Sequence, residues 1–237
     1  MSLKDAFNSS ANEYDKFRRQ LIPCFDEFYG TVVKLVPFRR NEKISVLDLG
    51  AGTGLLTHWI IKAFPNALFY LVDFAEEMLL QAKKRFQALI ETNKNQIHFY
   101  SLDYSKLDLK IEGKTFDLIV SSLSIHHLTP EDKHTLFSNI FSALNAKGMF
   151  INADLCLGET EEIESAYQRD WLNYINQSGL THQQIQEGIE RSKYDKKDTL
   201  VKQLQWLKQI GFKNVNCWYM NYSFSVYSGQ KIEEYPS

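Results

Sequence analysis

Val46-Leu47-Asp48-Leu49-Gly50-Ala51-Gly52-Thr53-Gly54 is the stretch whose reading decides the fold. The apolar run Ile44–Leu49, broken only by Asp48, has the length of a short buried strand. Leu55, Leu56, Trp59, Ile60, Ala63 and Phe64 then recur at helical spacing, and Pro65-Asn66 stops them. The glycines therefore join a strand to a helix, where the backbone turns tightly and lets a ligand approach the helix N-terminus. A dinucleotide site wants Gly-x-Gly-x-x-Gly, and its third glycine would fall at Leu55. The spacing also departs from the Gly-x-x-x-x-Gly-Lys phosphate cradle. Asp48, two residues before the first glycine, would repel a pyrophosphate and suits a ligand that carries a cation.

Strand and helix alternate outward from this loop. Ala67–Val72 is continuously apolar, as in a strand covered on both faces, and it ends on Asp73, a partner for ribose hydroxyls. Asp73 taken alone fits an NAD site equally well. Met78, Leu79, Ala82, Phe86, Leu89 and Ile90 mark one helix, and Gln96–Ser101 alternates like a strand nearer an edge. Phe116–Ser121 is a further strand. Thr129-Pro130-Glu131-Asp132 starts a helix, whose buried face is Leu136, Phe137, Ile140, Phe141 and Leu144. Gly148 opens the strand Met149–Leu155. This order predicts an α/β fold, a parallel sheet with helices on both faces and right-handed crossovers. Helix Asp198–Ile210 closes at Gly211, and Val215–Met220 and Tyr222–Tyr227 lie too close for a crossover helix, so the last two strands are antiparallel.

Two helical segments flank this core. One amphipathic helix runs from Leu21 to Val36; another carries Ile163, Ala166, Tyr167, Trp171, Tyr174 and Ile175 and is followed by a short one from Thr181-x-x-Gln184. The expected organisation is a single domain over residues 1–237, with N-terminal helices or a lid at 1–40 and a helical cap at 157–197.

The 237 residues are 44% hydrophobic and 24% charged with net charge −2, so no overall positive field invites nucleic acid, which is disfavoured without being excluded. No run approaches the roughly 18 apolar residues of a membrane span, and Met1-Ser2-Leu3-Lys4-Asp5 lacks the pattern of a signal peptide. Cys24, Cys156 and Cys217 are odd in number and widely spaced, which reads as reduced thiols in a cytoplasmic protein. A homodimer is compatible with the sequence. His126-His127 follows the fourth strand, where an imidazole could take a proton from an acceptor; the plain alternative is a histidine that packs the loop. No metal is expected, because no nearby Cys or Glu supplies a ligand spacing. Tyr167, Trp171 and Tyr174 are core residues by spacing and line an acceptor pocket in the alternative. Arg191–Lys197 reads as solvated surface, with an RNA track as its alternative.

VLDLGAGTG (46–54), LVDFAEEML (71–79), Asp103-Tyr104, FDLIVSSLSIHHL (116–128) and KGMFINADL (147–155) together resemble a class I S-adenosylmethionine-dependent methyltransferase of the small-molecule type. The resemblance is strong over residues 44–155 and weak over the terminal hairpin. It implies a Rossmann-like, doubly wound seven-stranded sheet in the order 3-2-1-4-5-7-6, with strand seven antiparallel, and methyl transfer from S-adenosylmethionine to a small-molecule acceptor without a membrane. It also implies site residues. Gly50, Ala51 and Gly52 meet the amino-acid part of the cofactor, Asp48 helps hold its ammonium, and Asp73 binds the ribose. Phe74 and Met78 flank the adenine, Asp103 and Tyr104 sit near its amino group, and Ser121 lies beneath the methionine moiety. Phe7-Asn8-x-x-Ala11-x-x-Tyr14-Asp15 resembles the family's lid, so Tyr14 and Arg19 close over the cofactor. The alternatives are a helix staple for Tyr14, a surface ion pair for Arg19 and ordinary loop positions for Asp103 and Tyr104. His126 and His127 are the catalytic candidates. Three other readings stay open: synthesis of carboxy-S-adenosylmethionine or modification of a tRNA wobble uridine, a non-enzymatic cofactor-binding module, and an NAD-dependent reductase, which Leu55 and Asp48 oppose.

Overall fold

A computed structural model describes residues 15, 17–106, 109 and 111–232. Seven strands form one sheet in the order β3-β2-β1-β4-β5-β7-β6. They are β1 (Ser45–Leu49), β2 (Leu68–Asp73), β3 (Ile97–Ser101), β4 (Phe116–Ser122), β5 (Leu144–Leu155), β6 (Lys213–Asn221) and β7 (Phe224–Gln230). β1 pairs in parallel with β2 and β4, while β7 runs antiparallel to β5 and β6. The expected topology is the observed one, with β3 at an edge.

The strand order reverses between β1 and β4, so the chain leaves these neighbours in opposite directions and opens a crevice at their carboxyl ends. The glycine loop sits there, and the N–H groups of Gly50 and Ala51 both donate to the carbonyl of Val72 at the end of β2. Nine helices are described. Among them, α1 (Arg18–Leu21), α2 (Phe25–Leu35), α3 (Leu55–Ala63), α4 (Glu76–Arg85) and α5 (Gln87–Thr92) precede β3. α6 (Pro130–Ala143), α7 (Glu161–Gln177), α8 (His182–Ser192) and α9 (Leu200–Ile210) follow β4.

Each sheet face has its own core. Phe28, Tyr29, Val32 and Ile60 of α2 and α3 pack on Phe69, Leu118 and Val120, and Phe137, Ile140 and Leu207 of α6 and α9 cover Leu47, Ile119 and Phe150 on the other side. Full burial of such side chains stabilises by about 1.5–3 kcal/mol each, so both faces hold the strand ends rigidly. α6 begins as its sequence predicts: Thr129 accepts from the N–H of Asp132, Pro130 opens the first turn, and Glu131 and Asp132 complement the helix dipole.

Several boundaries differ from expectation, among them β5, which starts at Leu144 rather than Met149 and takes Leu144 out of the predicted helix face. The helix predicted over Leu21–Val36 is broken, because Pro23 has no N–H and biases Ile22 to extended backbone, which separates α1 from α2. The stripe from Met78 to Ile90 is two helices that meet at Phe86. β7 starts at Phe224, after Tyr222 turns the chain with φ of 49°. α7 and α8 occupy the stretch predicted as a cap.

Candidate active site

The loop after β1 takes its shape from backbone that L side chains rarely adopt. Gly50 has φ of +66°, and a Cβ there would lie 1.8 Å from Oγ of Ser124. Gly52 has φ of +55°, yet a Cβ there meets nothing within 4 Å. Packing therefore requires the first glycine, whereas the second leaves backbone bare toward open space. That space is a cavity of about 170 Å3, lined by Gly50, Ala51, Gly52, Asp73, Phe74 and Met78 among others.

Asp73 shapes the same wall. Its Oδ2 accepts from the N–H of Gly52 at 2.8 Å and its Oδ1 from that of Ala75 at 2.8 Å. Each oxygen keeps a lone pair for a further donor. Burial outweighs these bonds and pushes its carboxyl up to about 6. Asp48 lies behind the loop rather than in the cavity wall, so any hold it has on a cofactor ammonium is indirect. Its Oδ2 accepts from the hydroxyl of Thr57 at 2.6 Å, while Oδ1 is buried without a hydrogen-bond partner. Burial first, with the nearby charge of Asp73, raises Asp48 to about 7.

Other predicted residues divide cleanly. Asp103 lines the cavity and accepts from the hydroxyl of Ser105 at 2.6 Å. Tyr104 lines it from a buried position, with its hydroxyl 2.6 Å from that of Ser124. Ser121 does not line it: its hydroxyl donates to the Leu49 carbonyl at 2.7 Å, and strand alternation turns its neighbour Ser122 toward the cavity instead. Arg19 forms a bidentate, exposed pair with Asp26 at 2.7 and 2.8 Å, so the surface reading of that residue is the observed one. Arg18 is the arginine that lines the cavity. Tyr14 lies outside the described residues. Next to it, Asp15 accepts from the hydroxyl of Thr53 at 2.6 Å and pairs with Arg85, whose Nε donates to the Thr53 carbonyl at 2.8 Å. This tie between the N-terminal segment and the glycine loop was missed; the lid-like motif ending in Asp15 was its one sequence signal.

A second cavity of about 610 Å3 adjoins the first, and both are lined by Arg18, Leu123 and His127. Leu123 has φ of 49°, a strained conformation for a branched residue, held where its N–H donates to the Ala153 carbonyl. Tyr167 and Trp171 of α7 line the larger cavity, and Trp171 also donates from Nε1 to the Leu21 carbonyl at 2.9 Å. Tyr174 is not in that wall and donates to the Arg19 carbonyl at 2.8 Å.

The two histidines sit in different environments. His126 is buried, with Nδ1 2.5 Å from Asp154 and its backbone N–H donating to the other Asp154 oxygen at 3.0 Å. Burial favours its neutral form, but the charges of Asp154 and Asp195 prevail and raise it to about 9. Burial and the charge of His126 lower His127 to about 2, which leaves a neutral imidazole where the cavities meet. Asp195 arrives from the stretch after α8. Lys196 donates from its N–H to the His126 carbonyl at 2.8 Å, and buried Lys133 pairs with Asp198 at 2.7 Å.

Residues 47–150 match the family model described as a methyltransferase domain. This likeness, together with the sheet order and the glycine loop, is to class I S-adenosylmethionine-dependent methyltransferases. The chain is 28% identical over 167 residues to the malonyl-[acyl-carrier protein] O-methyltransferase of Bacillus anthracis, covering 70% of this chain and 57% of that protein. It is 23% identical over 215 residues to the carboxy-S-adenosyl-L-methionine synthase of Shewanella amazonensis, covering 87% of this chain and 84% of the relative. Among solved structures, it shares its fold with the magnesium protoporphyrin IX methyltransferase of Synechocystis with bound SAH, at TM-score 0.66 and 17% identity over 96% of this chain and 97% of the other. The chain thus spans little more than half of the Bacillus relative and most of the other two.

S-adenosylmethionine is the cofactor that this likeness implies, and the residues of the site fit it. The orphaned Oδ1 of Asp48 leaves buried negative potential beneath the loop, suited to a cationic ligand, and the bare face of Gly52 opens on the cavity. Asp73 offers acceptors for hydroxyls, and Phe74 and Met78 offer apolar surface for a flat ring. Among the described residues no helix is long and apolar enough to cross a membrane.

Proposed function

We propose that the chain transfers the methyl group of S-adenosylmethionine to a small molecule held in the larger cavity. The observation that carries this reading is the shared wall: Arg18, Leu123 and His127 border both cavities, so a group in one lies next to a group in the other. When bound, the cofactor supplies a methyl group already activated on a sulfonium. The chain's task is then to hold both partners in line and exclude water.

In this reading Asp73 and the glycine loop fix the cofactor, with Asp48 biasing the site toward cations. α7 and α8 act as the cap of the acceptor cavity, and the N-terminal helices act as a lid tied down at Asp15. His127 borders both cavities, and at about 2 it stays neutral and is too weak a base to take the acceptor's proton, so its part is to shape the wall between the two ligands. His126, held between two carboxylates, serves to position His127. The apolar side chains of Trp171, Tyr167 and Leu155 favour an acceptor with an apolar body. The three cysteines are free thiols, which supports a cytoplasmic setting.

The test is a screen of candidate acceptors for release of S-adenosylhomocysteine, with Trp171→Ala in parallel. Turnover with one acceptor class, weakened in the variant through KM, supports the reading. A second reading, synthesis of carboxy-S-adenosylmethionine, draws on the Shewanella relatives, which align over most of their length. Mass spectrometry of the ligand that copurifies separates the two: a carboxylated cofactor would sink simple methyl transfer.

A further inference from the structure

Local spacing around His126-His127 offers no third metal ligand, but folding supplies one from 68 residues further along the chain. Asp195 places one carboxylate oxygen 3.3 Å from Nε2 of His126 and 3.5 Å from Nδ1 of His127. All three donor atoms lie within 4.8 Å of one another, and no other such group occurs among the described residues.

These separations are long for charge-assisted hydrogen bonds, which run to about 2.7–2.9 Å. They match something else. Donors about 2.1 Å from a tetrahedral metal ion stand about 3.4 Å apart along each edge of the tetrahedron. The gaps on either side of Asp195 are that edge.

The outer contacts point the same way. A histidine that ligates a metal is held by a hydrogen bond from its other ring nitrogen to a carboxylate or a backbone carbonyl. His126 has that partner in Asp154, at 2.5 Å from Nδ1, so Nε2 is the atom directed at Asp195. His127 is held by the backbone of Tyr194. Both rings are thus oriented from outside, with one nitrogen each turned toward a single carboxylate oxygen. His126, His127 and Asp195 all border the larger cavity, which leaves a further coordination position accessible from it.

We propose that His126 Nε2, His127 Nδ1 and Asp195 bind a divalent cation of the zinc class at the wall of the larger cavity. Two imidazoles and a carboxylate suit a borderline cation such as Zn2+ better than Mg2+ or Ca2+, which prefer all-oxygen shells. Three protein donors and an open position are the arrangement of an accessible rather than a purely structural zinc. The open position takes water or an oxygen of whatever occupies the cavity.

The probe is Zn2+ alone, titrated calorimetrically near neutral pH into chelator-stripped protein, with neither cofactor nor acceptor present. A negative result therefore leaves the methyl-transfer reading standing. One ion per chain is expected, with affinity at least about tenfold weaker in Asp195→Asn and in His127→Gln, and Mg2+ unable to compete. Absence of stoichiometric binding, or full affinity in both variants, overturns the site. X-ray absorption of the wild-type zinc complex keeps the test sharp where a variant fails to fold: a first shell of nitrogen and oxygen with two imidazoles supports the site, and a sulfur ligand overturns it.

Discussion

The two cavities are built from different material. The smaller one is walled by the ends of β1 and β2 and by backbone of the turn between Leu49 and Leu55, a region braced by the core on both sheet faces. The larger one is walled mainly by side chains of α7 and α8 and by the segment from Lys193 to Lys197, and it meets strand ends at Leu155 of β5 and Phe224 of β7. A site made of constrained backbone tolerates almost no change and recognises one ligand. A site made of helix side chains can be rebuilt residue by residue without disturbing the sheet. On the proposed reading, the cofactor half is fixed by fold geometry and the acceptor half by which side chains face inward.

The largest expected effects come from glycines on the rigid side. Gly50→Ala drives a Cβ to 1.8 Å from Ser124 Oγ at a positive φ, so fold stability and cofactor binding should fall together, with a cost of several kcal/mol on the order of an overpacked, strained site. Gly52→Ala is its counterpart. Its Cβ meets no protein atom, so thermal unfolding should shift only by the left-handed cost of about 1–2 kcal/mol, while cofactor affinity measured by calorimetry drops at least about tenfold. Equal losses of affinity and stability in both variants would break the distinction between a packing glycine and a ligand-facing one.

Asp73→Ala comes next. It removes the acceptor of the Gly52 and Ala75 N–H groups and, on the proposed reading, that of the cofactor ribose. At about 1.5–3 kcal/mol for each hydrogen bond to a charged group, a loss of roughly ten- to a hundredfold in cofactor affinity is expected. Unchanged affinity means that the cavity beside the glycine loop is not the cofactor site. Trp171→Ala probes the other half: it should raise KM for the acceptor several-fold and leave cofactor affinity alone.

The legibility of the two halves in sequence follows from the same contrast. Glycine spacing, the acid before it and the acid ending β2 lie within 26 residues, and their meaning depends on strand-to-helix chemistry that repeats wherever such a turn occurs. That Asp73, Phe74 and Met78 line the cavity beside the loop is legible for that reason. Ser121 was misplaced by one residue, because a strand end can be read from an apolar run but the parity of its last side chains depends on the pairing register with β5. The meeting of Asp195 with His126 was not legible at all. It requires α7 and α8 to fold back and Lys133 to anchor the stretch around Asp198, contacts between residues far apart in the chain.

The pH response separates the halves by a smaller amount. Asp48 and Asp73 are raised to about 7 and about 6 by burial, above their ordinary value of 3.8. A carboxyl raised in the folded state stabilises the cofactor-free protein at low pH, and that contribution is lost as pH climbs through the folded value. The cofactor-free protein should therefore lose stability between about pH 4 and pH 7 through these groups. A cationic ligand prefers the ionised carboxylates, so its affinity should rise over about pH 5.5–7.5 with proton release on binding. Calorimetry in buffers of differing ionisation enthalpy measures that release, and none at pH 6 would remove both acids from the binding linkage.

The smallest expected effect lies on a residue that the resemblance placed at the cofactor. Arg19 pairs with Asp26 in the open, where solvent screens the charges, so Arg19→Ala should leave unfolding temperature and cofactor affinity within measurement scatter. Arg18, one position earlier, lines both cavities, and Arg18→Ala should weaken cofactor or acceptor binding measurably. α1 turns the two side chains in different directions from adjacent positions, so the pair tests whether the lid sits in this register over the site. If Arg19→Ala costs cofactor affinity and Arg18→Ala does not, the lid closes with α1 rotated by about one residue, roughly 100° on a 3.6-residue helix, and the boundary shared by the two cavities has to be redrawn without Arg18.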